Sequence, residues 1–259
     1  IGLIAGKVTL QFQNVDKEKE DEIFEFLKNY PKIGWVVFCS GRWDCIFAFY
    51  VRDNYEIQEM INSIVEKYGK YILAKEIVSI PEYYIVSRGW LTKDFGRVIS
   101  KIGGKVNPIV DELDIKLIKI LTQNCRKPII KIARELNKSS SLIIQRIKSL
   151  EKKEIIRNYY IGLNLEKIGK EFCKSFIFLH NYTKAEYEKL MKYCLHHPNV
   201  TALTNIVGAW EMELEMEVSN FDEFHKIMNE IKNQFKHIIR NYEAIVITRE
   251  YGRDYSTII

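Results

Sequence analysis

The feature that most restricts what this chain can fold into is a repeat of itself. Sliding the sequence by 167 residues aligns Leu3–Ile80 with Lys170–Ile247 without a gap, setting Lys7 on Lys174, Pro31 on Pro198, Gly41 on Gly208, Trp43 on Trp210 and Glu76 on Glu243. A register that never slips over such a length points to two copies of one domain. Within each copy the apolar residues switch between the two-residue period of a strand and the 3.6-residue period of a helix. Copy one reads as strands near Lys7–Gln13, Gly34–Ser40, Asp44–Arg52 and Ala74–Ile80, with helices near Lys17–Asn29 and Asn54–Lys67. Copy two reads as strands near Lys174–His180, Thr201–Val207, Glu211–Ser219 and Asn241–Thr248, with helices at Lys184–His196 and Phe221–Gln234. The order βαββαβ predicts an α+β fold, a four-stranded antiparallel sheet with both helices on one face.

Between the copies, Asp111 to Ile156 carries three short helical stripes: Leu113, Leu117, Ile120 and Leu121; then Ile129, Ile132, Ala133 and Leu136; then Ile143, Ile147 and Leu150. Pro128 suits the first turn of the second helix, and Ser139 or Ser140 can cap the third, because a side-chain oxygen accepts an otherwise orphaned backbone N–H there. Such tightly joined helices are the makings of a helix-turn-helix. Charge separates a DNA reader from a plain bundle. From Lys105 to Tyr159 there are 13 Lys and Arg against 6 Asp and Glu, about +7, while the whole chain is +5, so the remainder sums to about −2. The third helix presents Ser140, Ser141, Gln145 and Lys148 outward, with Ile144 beside them. Short hydrogen-bonding side chains of this kind reach base edges; Arg126, Lys127, Lys131, Arg146 and Lys152 suit phosphates, with Arg146 placed equally well to brace the fold. Ser139 completes the candidate DNA-binding set.

These motifs carry a resemblance. The run L-D-x-x-L-I-x-x-L-x-x-N-x-R-x-P from Leu113 to Pro128, I-A-x-x-L-N from Ile132 to Asn137, S-x-x-x-I-x-x-R-I-x-x-L-E from Ser139 to Glu151 and I-I-R from Ile155 to Arg157 resembles the DNA-binding domain of the Lrp/AsnC (leucine-responsive/asparagine) regulator family. The flanking copies resemble the ferredoxin-like, RAM-type effector domain of the same family. The resemblance implies a first effector domain at residues 1–88, a linker with a short helix at 89–108, a winged helix-turn-helix at 109–165 and a second effector domain at 166–255. It also implies double-stranded DNA as partner, an amino-acid effector, and pairing of the two RAM domains within one chain, between chains, or both. Copy two follows a helix-turn-helix and copy one does not, so a further reader upstream is expected, as in doubled archaeal members of the family. A native gene starting within a few residues of Ile1 contradicts this. One position departs from the family: Glu154 stands where glycine usually ends the third helix. Either the helix ends differently or Glu154 takes a left-handed conformation that costs a side chain strain.

The turns Gly41–Asp44 and Gly208–Glu211 match the family's Gly-x-x-Asp turn, near which small effectors are bound. Gly41, Trp43, Asp44, Gly208, Trp210 and Glu211 are therefore candidate effector residues, since a carboxylate beside an aromatic ring suits an ammonium group. The competing reading is a tight hairpin whose glycine supplies an unusual φ and whose tryptophan covers the sheet. The third strands differ between copies. Glu211, Glu213, Glu215 and Glu217 alternate with Met212, Leu214, Met216 and Val218, whereas copy one has Ile46, Ala48 and Tyr50 opposite Glu213, Glu215 and Glu217. If the copies pair face to face, the acidic face is expected to be partly wet, and replacing Glu213 by Leu and Glu215 by Ile should not lower stability.

The remaining signals bound the function. Five scattered cysteines (Cys39, Cys45, Cys125, Cys173, Cys194) without C-x-x-C spacing predict small buried residues rather than a disulfide or zinc framework. His196 and His197 lack a third ligand, and no phosphate loop or nucleophile triad appears, so no metal, cofactor or enzymatic role is expected. No secretory signal or spanning apolar run is evident, which reads as cytoplasmic with no membrane partner. Trp90, Leu91, Phe95, Val98 and Ile102 suggest the linker helix, ahead of a joint at Gly103 and Gly104. Two rivals share the domain plan: a siroheme-decarboxylase-like enzyme, and a ligand-binding assembly without DNA binding.

Overall fold

The computed structural model describes residues 2–91, 98–104 and 109–252. Copy one is β1 (Ile4–Phe12), α1 (Lys17–Lys28), β2 (Ile33–Gly41), β3 (Cys45–Val51), α2 (Asn54–Tyr68) and β4 (Ile72–Val86), followed by β5 (Ile99–Gly103). Then come α3 (Glu112–Gln123), α4 (Ile129–Glu135) and α5 (Ser140–Lys152). Copy two is β6 (Glu171–Leu179), α6 (Lys184–His196), β7 (Val200–Val207), β8 (Met212–Val218), α7 (Phe221–Gln234) and β9 (Ile239–Gly252). Both copies are βαββαβ units, flanking a three-helix unit.

The last strand of each copy outruns the sequence expectation, and the extra length joins the copies. Ser79 and Glu82–Ile85 of β4 pair with β7, while the second half of β9 pairs with β2 from Trp35↔Gly252 to Gly41↔Ile245. With β1 also bonded to β4, eight strands close into a ring in the order β1-β3-β2-β9-β6-β8-β7-β4, every pair antiparallel. Closure leaves no exposed ladder in the ring, and the two copies form an intrachain pseudo-dimer. β5 is added on the far half of β4, from Glu82↔Gly103 to Val86↔Ile99.

Alternation along the strands sorts the side chains into layers. On copy one, Val36, Phe38, Phe47 and Phe49 point outward beneath α1 and α2. Their neighbours Trp35, Val37, Ile46 and Ala48 point inward, where they meet Phe176, Ile206 and Ile245 of copy two in a shared core. Phe176 and Trp210 pack edge to face at 4.7 Å there, a contact worth about 1 kcal/mol beyond its area.

The acidic face of β8 is not wet, which overturns the expectation for it. Glu213, Glu215 and Glu217 are at most 4% exposed. Glu213 Oε2 lies 2.5 Å from Lys7 Nζ and 3.0 Å from Lys174 Nζ, and Lys174 also reaches Glu215 at 3.0 Å. Glu217 accepts from Arg88 Nε and from Trp90 Nε1 at 2.9 Å. Strand alternation predicted the acidic stripe; the cations come from β1, β6 and the segment after β4, which are remote in sequence. Burial, with the like charge of Lys174 adding to it, pushes the Lys7 ammonium down to about 8 against the pull of Glu213. For Lys174 burial acts the same way, but Glu213 and Glu215 outweigh it and raise the ammonium above its ordinary value.

The described end of the linker holds a strand, β5, whose backbone pairs with the free side of β4; the expected linker helix falls mainly on residues 92–97, Phe95 among them, which lie outside the described residues. Four cysteines are buried, but Cys125, in the turn after α3, is exposed. Among the described residues no helix is long and apolar enough to cross a membrane.

Candidate nucleic-acid interface

The three-helix unit is built by its caps and one small core. Asp111 accepts from the Asp114 backbone N–H at 2.9 Å while Asp114 returns the bond, a capping box that starts α3. Pro128 precedes α4, and Ser139 caps α5 through the Leu142 N–H at 3.3 Å. Leu117, Leu121, Ile132, Ala133, Ile143 and Leu150 form the core, closed by half-buried Ile147, Ile155 and Ile156.

Glu154 adopts the left-handed conformation, with φ 54°. The Glu154 N–H donates to Glu151 O and the Ile155 N–H to Leu150 O, both at 2.9 Å. This is the reciprocal pair of bonds with which glycine usually ends a helix, and Ile155 packs back on the core as that motif requires. The helix therefore ends in the manner usual for glycine without a glycine. Beyond it, residues 157–164 form no β-ladder.

On α5, Ser141, Ile144, Gln145, Lys148 and Lys152 are all exposed, and their spacing of three and four residues puts them on one face. Ser140 is half-buried and stands about 100° around the helix from that row. The Ser139 hydroxyl is occupied by its cap and by the Ser141 hydroxyl at 3.1 Å. Among the described residues Arg126, Lys131, Lys148 and Lys152 enter no salt bridge, so their charges are open to an anionic partner. Lys127 is paired with Glu135. Of the two roles open to Arg146, the bracing one fits its contacts: its guanidinium spans Asp111 at 2.6 Å and the buried Asp114 at 3.3 Å, tying α5 to the start of α3. The Asp114 backbone N–H and then Arg146 hold the Asp111 carboxyl below the usual carboxylate range.

Residues 110–157 match the family model described as winged helix-turn-helix DNA-binding. Over 61 residues the chain is 38% identical to the HTH-type transcriptional regulator LrpA of Pyrococcus horikoshii, covering 24% of this chain and 43% of that protein. It is 24% identical over 119 residues to the regulatory protein AsnC of Haemophilus influenzae, covering 46% of this chain and 79% of that one. The three-helix unit thus matches a winged helix-turn-helix and is similar in sequence to regulators named LrpA and AsnC. The chain spans less than half the length of LrpA. The crystal structure of the siroheme decarboxylase NirDL superposes on 97% of this chain and 73% of its own, with a TM-score of 0.63 at 12% identity, a likeness of fold alone.

The structure places the two candidate effector turns at the ends of the barrel core, symmetrically. Trp43 and Trp210 are each 2% exposed and fill the interior. Asp44 Oδ2 accepts from the Phe12 N–H at 2.6 Å, and Glu211 Oε2 from the Leu179 N–H at 2.7 Å. Gly41 (φ 146°) and Gly208 (φ 158°) press on the partner copy's last strand, where a Cβ would stand 2.7 Å from Ala244 O and from Val78 Cγ1 respectively. The hairpin reading fits these positions, and the rings are not walls of an open site. Beside the second turn there is an open hollow of about 270 Å³ lined by Tyr182, Lys184, Tyr187, Ile206 and Glu211. Glu211 alone of that set was legible in the sequence. The tyrosines carry no motif, and the repeat sets Val15 and Glu20 in their place in copy one.

Proposed function

We propose that this protein is a sequence-specific DNA-binding transcription regulator of the Lrp/AsnC type, with α5 entering the major groove. The observation that carries the reading is the exposed row Ser141, Ile144, Gln145 and Lys148 on α5, in a unit whose Arg126, Lys131 and Lys152 enter no salt bridge among the described residues. Gln145 is placed to bond an adenine edge, Lys148 a guanine, and Ile144 the methyl of thymine. One reader of this size holds duplex weakly, so affinity comes from coupling two, with the effector barrel as spacer. The same reading takes the protein to associate into homo-oligomers, which brings several readers together.

A small effector fits the hollow beside copy two better than the buried turns. Lys184 and the free oxygen of Glu211 offer opposite charges to the two ends of an α-amino acid, across the tyrosine pair, whose rings are 5.6 Å apart. Such a ligand regulates only by binding two arrangements of the readers unequally.

Footprinting of genomic fragments across salt, with each amino acid added in turn, tests the proposal. Protected sites with affinity falling steeply in salt support it, and S141A/Q145A should then flatten the sequence preference. No protected fragment at low salt defeats it. A second reading, a tetrapyrrole-processing enzyme, shares the fold of NirDL, which has been solved in complex with an iron-uroporphyrin III analogue. Titration with an iron porphyrin, followed by absorbance, separates the two.

A further inference from the structure

The barrel interior holds a charge balance that neither copy satisfies alone. Lys7 and Lys174 occupy equivalent positions of the repeat, but the carboxylates opposing them, Glu213 and Glu215, both come from copy two, as does Glu217; copy one has Ile46, Ala48 and Tyr50 there. Lys7 crosses from copy one to Glu213, and Arg88, just beyond β4, crosses to Glu217 at 2.8 Å. Three cations thus meet three carboxylates, and the two lysines also lie over the Trp35 ring at 5.7 and 4.7 Å. Lys7 and Lys174 side chains are 5% and 0% exposed, so water does not screen the set.

Other pairings fail this balance. Two copy-one sheets face to face would bury two Lys7 side chains with no carboxylate between them. Two copy-two sheets would set six glutamates against two Lys174. Uncompensated charges in such an interior cost more than the apolar contacts around them return. We infer that Lys7, Lys174 and the β8 glutamates make the two effector domains obligate unlike partners: a copy-two sheet accepts only a sheet of the copy-one kind. A second copy of this chain can therefore enter the barrel solely by exchanging unlike halves. The network adds little stability over an apolar core of equal volume; what it provides is a choice of partner.

The test uses full-length chains carrying K7E, E213K or both. Each single change sets like charges together within a closed chain and should lower the melting midpoint by about 10 °C. The double variant restores opposite charges across the copies and should regain at least half of that loss. Co-refolding the K7E chain with the E213K chain offers a matched alternative, since exchanged halves bring the two substituted positions together with opposite charges in one barrel and leave native Lys7 against native Glu213 in the other. Native mass spectrometry should then show a one-to-one complex in the mixture that neither chain forms alone. Additive losses in the double variant overturn the inference, as does a mixture giving only what each chain gives separately. If neither single variant folds, the double variant alone decides: a folded monomer supports complementarity, and an unfolded chain refutes it.

Discussion

Substituting glycine for Glu154 should stabilise the helix-turn-helix. The left-handed conformation at φ 54° costs a residue with a Cβ about 1–2 kcal/mol, and glycine escapes that cost at the expense of about 0.5–1 kcal/mol of extra freedom in the unfolded chain. Little else changes. The Glu154 side chain is 76% exposed and its oxygen stands 3.8 Å from the Arg157 guanidinium, too long and too wet to count for much. The two backbone bonds that end α5, and the bond from Arg157 Nε to Glu154 O, do not involve the side chain. The net gain is about 0.5–1 kcal/mol, or on the order of 2 °C in the melting midpoint for a chain of this size. Thermal unfolding of the full chain followed by circular dichroism measures it, with E154A as the control. Alanine keeps the Cβ, so it should leave the midpoint within about 0.5 °C, well below the glycine gain. An equal rise in both variants, or a fall with glycine, refutes the assignment of strain to this residue.

Four further outcomes follow from the buried charges, the brace and the exposed cations. E213L/E215I strands Lys7 and Lys174 without their carboxylates and should cost about 3–5 kcal/mol in denaturant unfolding; an unchanged midpoint would mean that water reaches the lysines. Burial disfavours the Glu213 charge, but Lys174 and Lys7 outweigh it and hold the carboxyl below its ordinary 4.5. Its contribution is therefore complete above pH 4.5 and lost as pH falls through the lower folded value; urea midpoints measured through that range should drop in the native chain and drop less in E213Q. R146A should lower the stability of the three-helix unit by about 1–3 kcal/mol by leaving Asp114 buried without its cation. R126A should leave stability unchanged and instead weaken DNA binding at all sequences, reducing the salt slope by about one.

Local order was legible from the residues alone. The 167-residue repeat, the two-residue and 3.6-residue periods, and the capping residues Asp111 and Ser139 are properties of neighbours in the chain, and they located the described helices and the cores of the repeat strands to within a few residues, together with the exposed face of α5, but neither β5 nor the far half of β4. The acidic stripe of β8 was equally plain. What it faces was not, because Lys7 and Glu213 stand 206 residues apart and meet only where the ring closes. The same holds for Arg146, whose two readings, phosphate ligand or brace, stayed open until the fold of α3 against α5 brought Asp111 and Asp114 beside it. Periodicity says which side of an element is apolar; only the tertiary arrangement decides what lies on the other side of the contact. Here that arrangement turned the tryptophan turns inward, neutralised a row of glutamates and left one helix face open.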